Sequence, residues 1–276
     1  MHDTAALLQS RRHAVNRVGW AQPLRWLALG WRDLARCPLP GVVHGLALAL
    51  FGGALTVIAR ERFWLLAGSF SGFLLVAPVL ATGLYAVSRA LERGERATLT
   101  TAADSWIPHD HRLLVFGVLL SGAGTVWVMT SASLITGFVD GDVRTPADFM
   151  RLVVLNPQSW LFEAWLLLGG AMAAPVFASS VVALPLLLDR DDGVWAAVLT
   201  SWRCVLANPL PLALWAALVM ALTLLGMATL LFGLVIVVPW LAHASWHAYR
   251  DLLAPTLPAV AAPQGGATGL ERPGAG

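Results

Sequence analysis

Apolar runs in this chain alternate with short clusters of Arg, Asp and Pro, and the runs are as long as a bilayer is thick. Between Arg203 and Arg250 lie 46 residues without one Asp, Glu, Lys or Arg. At a rise of ~1.5 Å per residue a single helix of that length would reach roughly 69 Å, over twice a ~30 Å hydrocarbon core. The run therefore divides into two crossings that turn near Gly226 to Gly233. The same reading places spans at 41–59, 63–87, 113–135, 159–188, 209–227 and 230–249. The expected fold is all-α: a polytopic membrane protein with six transmembrane helices in three hairpins, 41–87, 113–188 and 209–249. These form one membrane domain over 21–252, between a flexible segment 1–20 and a disordered Ala/Pro/Gly-rich tail 253–276.

Two further segments have helical periodicity but too little apolar length to cross. Trp195, Val198, Leu199, Trp202 and Leu206 follow i, i+3, i+4, i+7, i+11, behind Asp191 and Asp192 where a first turn favours carboxylates. Leu24, Leu27, Trp31 and Leu34 make one face of the other helix, and Arg25, Arg32 and Arg36 the opposite one. Both are predicted to lie in the cytoplasmic interface, with Trp31, Trp202 and the three Arg at headgroup level. The alternative is a cytoplasmic extension of each span, packed on its neighbours. Each segment leads into Pro-Leu-Pro: Trp31 precedes Pro38-Leu39-Pro40 by seven residues, and Trp202 precedes Pro209-Leu210-Pro211 by seven. Each copy continues to a proline in a later helix, Pro78 or Pro239, with an Arg eleven residues on, Arg89 or Arg250. This predicts a parallel structural repeat.

Composition adds to the picture: 58% of residues are hydrophobic and 12% charged, against about a quarter charged in soluble domains. Mean hydropathy is +0.70. A net charge of +2 is too small for a nucleic-acid footprint. All 18 cations are Arg; alternate loops hold fourteen on one side and four, Arg60, Arg62, Arg144 and Arg151, on the other. That asymmetry puts both termini in the cytoplasm. Cys37 and Cys204 then face a reducing compartment as inert thiols. No cleavable signal peptide is expected at the N-terminus.

Ionisable groups inside a membrane cost a few kcal/mol each and are the first functional suspects. Glu163 stands one turn inside the fourth span, where interfacial anchoring competes with a role in a pathway. Pro78, Pro185 and Pro239 lie in the even-numbered spans, where kinks free carbonyls that can line a path or simply shape the bundle. Ser69, Ser71, Thr130, Ser131, Ser133, Ser179 and Ser180 would suit a neutral solute on such a path. His44, His243 and His247 fall at one depth near the cytoplasmic end. Three imidazoles at one level either hydrogen-bond at helix ends or ligate haem or a transition metal. His109-Asp110-His111 reads as a solvated loop. No nucleophile elbow, Walker loop, dinucleotide fingerprint, His-Glu-x-x-His or Cys-x-x-Cys is present, and the loops are too short for a soluble catalytic module.

Gly30-Trp31-Arg32-Asp33-Leu34 with Pro38, Leu75-Val76-Ala77-Pro78 with Gly83-Leu84-Tyr85 and Ser88-Arg89, Leu184-Pro185 with Asp189-Arg190, Ser201 with Asn208-Pro209, and the run His243 to Arg250 form one set. They resemble the domain-of-unknown-function 2189 family of bacterial integral membrane proteins, over about 24–252. Some members carry the label cytochrome c oxidase subunit I. Such a subunit needs about twelve spans and mid-membrane His ligands for two haems and copper, which six spans and three shallow His do not offer. The resemblance brings no activity and no catalytic residue. The expected function is non-enzymatic: small-solute transport, channel-like conduction or service to a membrane complex, without a cofactor. The alternative is a haem- or metal-binding redox accessory. The expected partners are the lipid bilayer and, beyond it, further copies of the chain or other membrane proteins.

Overall fold

The computed structural model describes residues 2–58, 64, 68, 81–105, 111–157 and 159–253. The described residues are all-helical, with α1 His2–Arg11, α2 Gln22–Arg36, α3 Pro38–Ile58, α4 Thr82–Glu92, α5 Leu99–Asp104 and α6 His111–Phe138. There follow α7 Pro146–Phe149, a π-helical turn Met150–Val154, α8 Leu161–Ser180, α9 Ala183–Asp189, α10 Val194–Ala207, α11 Pro209–Ala228 and α12 Leu234–Leu252. Among them four helices are long and apolar enough to cross a membrane: α3, α6, α8 with α9 (Leu161–Asp189), and α11. The predicted second span and Pro78 lie largely outside the described residues, as do His109 and the tail from 254.

α12, read from the sequence as the sixth span, differs from those four. Its C-terminal half carries His243, His247, Arg250 and Asp251, and these find protein partners that a hydropathy window cannot see. It also starts later than the charge-free run suggests. Residues 229–233 form a turn in which Leu230 and Leu231 have φ of 53° and 72°, and Thr229 Oγ1 accepts from the Gly233 N–H at 2.7 Å.

α12 is the hub of the fold. α2 lies along one side of it and α3 along another, and small residues set how close they come. A Cβ on Gly30 would collide with the backbone of Ala244, one on Gly45 with the Val235 carbonyl, and one on Gly41 with Leu34 and Pro239. Gly41 and Gly45 are four apart on α3, the small-x3-small spacing that lets helices approach in lipid. The core at this end is aromatic: Trp26 and Trp215 meet edge-on with centroids 5.7 Å apart, and Trp246 and Tyr249 tilt together at 5.3 Å. A second, smaller cluster of Ile135, Val143, Val153 and Leu161 closes the far end under Trp165.

α2 is oriented differently from its predicted stripe. Pro23, Trp26, Leu27, Gly30, Asp33 and Leu34 are buried, whereas Leu24 and Trp31 face outward at 52% and 49% exposure. The packed alternative describes its inner side. Segment 1–20, expected to be flexible, is instead anchored. α1 packs on α10, Ser10 and His13 are buried, Val18 N–H donates to Asn208 Oδ1 at 2.8 Å, and Asn16 N–H donates to the Leu252 carbonyl at 2.9 Å. The partners come from the far end of the chain, so no local window shows them.

The repeat has a backbone counterpart. α2 joins α3 through Cys37 at φ −137°, ψ 71°, and α10 joins α11 through Asn208 at φ −134°, ψ 55°. Both hinges sit immediately before Pro-Leu-Pro, whose first proline fits a helix start because it lacks an N–H. Burial pushes the Cys37 thiol up, and Cys204 up to about 12, as suits unreactive groups.

Gly30→Val should force α2 away from Ala244 and cost ~1–3 kcal/mol. Gly122→Ala, with open space around it, should not. Chemical denaturation of the purified protein in detergent compares the two.

Candidate functional site

Three helices bring a buried polar centre together at the end of α12. His243 and His247 are one turn apart on one face of α12, α2 supplies Asp33, and α4 supplies Ser88. Asp33 Oδ2 accepts from Ser88 Oγ at 2.8 Å and pairs with His247 Nε2 at 2.8 Å. Ser88 Oγ lies 2.8 Å from His243 Nδ1. A hydroxyl has one proton, and here it goes to the carboxylate, so His243 Nδ1 must be the donor to Ser88. Neutral His243 is thereby the Nδ1–H tautomer, with its Nε2 lone pair fully buried and without a hydrogen-bond partner among the described residues. His44 of α3, also buried, is close enough to couple electrostatically to His243.

Burial pushes the Asp33 carboxyl up, but hydrogen bonds from His247 and Ser88 and the charge of His247 outweigh it. The result is a carboxyl held below its ordinary value of 3.8. The centre is thus one buried anion that takes Ser88 and His247 directly and His243 through Ser88.

A second polar layer surrounds it. Asp189 Oδ2 accepts from the Tyr249 hydroxyl at 2.7 Å, and Arg250 and Arg89 stand 3.8 and 4.0 Å from its carboxylate. The two arginines that the repeat relates therefore converge on one acid. Glu92 takes the Trp246 indole N–H and Arg250, both at 3.0 Å. Asp251 takes Gln22 at 2.6 Å and the Trp26 indole at 2.8 Å.

The opposite side of α12 is apolar. There α4, α8, α9, α11 and α12 line an open-sided cavity of about 220 Å³ that includes Phe177, Trp215 and the hydroxyls of Tyr85, Ser180, Thr223 and Ser245. It abuts the break between α8 and α9. The Val182 N–H freed there is taken by Ser201 Oγ of α10 at 3.1 Å. Pro185 stands buried in the first turn after the break, where its missing N–H costs little.

The other sequence candidates are distributed around these two features. Glu163 is exposed in the first turn of α8, which fits anchoring and separates it from the cavity. Pro239 is buried in α12 against Gly41. Trp31 meets Trp240 edge-on at 5.3 Å, Trp202 donates to Ser179 Oγ at 3.0 Å, and Arg25, Arg32 and Arg36 are exposed. The hydroxyl path does not form as one line. Ser131 accepts from the Trp165 indole, Ser179 is engaged by Trp202, Ser133 is exposed, and Ser69 and Ser71 lie outside the described residues. Of that set, Ser180 reaches the cavity. Of the three histidines, His44 and His243 are close enough to couple electrostatically, and His247 Nε2 is committed to Asp33. Among the described residues no group of three or more His, Cys, Asp or Glu side chains could hold a metal ion.

Asp33 and Ser88 are the members that sequence reasoning missed. Their signal was present: Asp33 is the one acid in an Arg-rich helix and shares a face with Trp26 and Gly30. Residues 65–189 match the family model described as predicted integral membrane protein, domain of unknown function 2189 (DUF2189). The match takes in Ser88, Arg89, Pro185 and Asp189, and leaves Asp33, His44, His243 and His247 outside it. No curated protein and no solved structure matches the chain.

Because the Asp33 pKa is lowered, its stabilisation is complete above the ordinary Asp value and is lost as pH falls through the lower folded value. Asp33→Ala should cost ~1–3 kcal/mol near neutral pH by stranding Ser88 and His247. The gap from wild type should narrow as pH drops below 3.8. Thermal unfolding in detergent across that range measures both.

Proposed function

We propose that this is a six-span, non-enzymatic protein of the bacterial inner membrane, with both termini in the cytoplasm. Its intramembrane cavity takes a small neutral solute, for passage or on behalf of a larger membrane complex. The observation that carries the solute reading is the apolar cavity with four hydroxyl-bearing side chains beside a broken helix. Pockets of this kind, mostly apolar with a few placed polar groups, suit small uncharged ligands. Among the described residues the cavity lining carries no ionised side chain, which argues against an ion-coupled pump.

The even number of crossings draws support from the ends of the chain. Val15 pairs with Leu253, and Asn16 Nδ2 donates to the Asp251 carbonyl at 3.0 Å, so residues before α2 and after α12 share one side. Four apolar helices, the stretch 63–87 and α12 make six. The Arg-rich segment before α3 and the segment after α12 then fall together in the cytoplasm. A haem- or metal-binding role gains little support, since His247 Nε2 is taken by Asp33 and His243 Nδ1 by Ser88.

Proteoliposomes should take up neutral solutes faster than empty vesicles, and Thr223→Phe, which fills the cavity, should remove most of that excess. A broad panel without flux above empty vesicles would end the transport version. Reporter fusions after Arg96, Arg203 and Leu252 should read cytoplasm, and fusions after Glu61 and Asp142 periplasm. A periplasmic signal after Leu252 would overturn the six-span topology.

A further inference from the structure

Around its axis, α2 carries three strips rather than two. At ~100° per residue the buried side chains Trp26, Leu27, Gly30, Asp33 and Leu34 fill one sector. Leu24, Ala28, Trp31 and Ala35 form an exposed apolar strip on the next, and Arg25, Arg32 and Arg36 a cationic strip beyond it. None of these three Arg makes an ion pair or side-chain hydrogen bond among the described residues. The nearby acids are engaged elsewhere: Asp33 with Ser88 and His247, Glu92 with Arg250, Asp251 with Gln22 and Trp26.

The apolar strip continues onto α12. Trp31 meets Trp240 edge-on, Trp240 donates its indole N–H to the Leu27 carbonyl at 2.7 Å, and Ile236 one turn further is half exposed. Arg36 is two residues ahead of Pro38, where an apolar helix fit to cross a membrane begins. The cationic row therefore stands at headgroup depth, beside a greasy seam that runs toward the hydrocarbon.

We propose that this face of α2 is a binding site for an anionic phospholipid. The phosphate lies across Arg25, Arg32 and Arg36, and an acyl chain lies over Leu24, Trp31 and Trp240. Guanidinium groups bind phosphate oxygens in bidentate pairs, and a row of three outcompetes single surface charges for a diester. An acidic peptide would use the Arg row but leave the Trp31–Trp240 seam against lipid without purpose. The proposal rests on the membrane reading above and is independent of the cavity.

The repeat supplies an internal control. α10 also exposes Trp195, Trp202 and Leu206, yet it has no free cationic row. Its Arg203 is spent on the carbonyls of Ser10 and His13. Preference for anionic lipid should therefore belong to α2 alone.

Native mass spectrometry of the full-length detergent-solubilised protein, with equimolar phosphatidylglycerol and phosphatidylcholine, tests this. Wild type should retain phosphatidylglycerol in preference by on the order of tenfold. R25Q/R32Q/R36Q should fall to near parity, and R203Q should keep the preference. The triple variant should unfold at the wild-type temperature and keep wild-type solute uptake, which separates failure here from failure of the cavity reading. Equal retention of both lipids by wild type overturns the proposal, as does a preference that survives in the folded triple variant. Inorganic phosphate competing at micromolar concentration would assign the Arg row to a soluble anion, and also overturns it.

Discussion

The close approach of α2 to α12, with Gly30 set against the Ala244 backbone, is the contact on which the rest of this end depends. Once the axes are that near, Asp33 reaches His247 and Ser88, and Trp26 reaches Asp251. Wider spacing would bury a carboxylate without donors, a penalty of several kcal/mol. Packing and polar pairing therefore stand or fall together. α3 repeats the device with Gly41 and Gly45, so α12 is gripped on two sides by helices from the start of the chain.

α12 thereby separates two environments. One side holds a single anion that accepts two hydrogen bonds, the other an apolar cavity with four hydroxyl-bearing side chains. The His243 to Ser245 stretch spans both, since Ser245 faces the cavity while His243 faces Ser88. The two sites are a helix diameter apart and share a backbone, so a shift of α12 would be felt in both.

Much of this was legible in the sequence because bilayer thickness is a local constraint. Charge-free windows at 41–59, 113–135 and 209–227 correspond to Pro38–Ile58, His111–Phe138 and Pro209–Ala228. The Trp-x6-Pro-Leu-Pro pattern marked two hinges of nearly equal backbone angle. Less local facts stayed hidden. The expected Leu24-Leu27-Trp31-Leu34 stripe treated hydrophobicity as burial, but a helix beside lipid exposes Leu and Trp and buries Gly and a paired Asp. The partners of His247 and His243 stayed hidden, because Asp33 and Ser88 lie 214 and 155 residues away from them. The break at Val181–Val182 had Pro185 as its clue, and Ser201, which makes the break tolerable, comes from the next helix.

The pairing of α2 with α12 has a consequence for the order of manufacture. α2 is among the first helices to leave the ribosome and its principal partner is the last, so its Asp33 and Trp26 must wait while the intervening chain is made and inserted. When α12 arrives it completes a structure begun at the other end of the chain, and the Val15–Leu253 bridge is the final stitch. Synthesis and closure thus run in a ring, and a nascent chain halted before Leu234 holds every part of the centre except the one that assembles it.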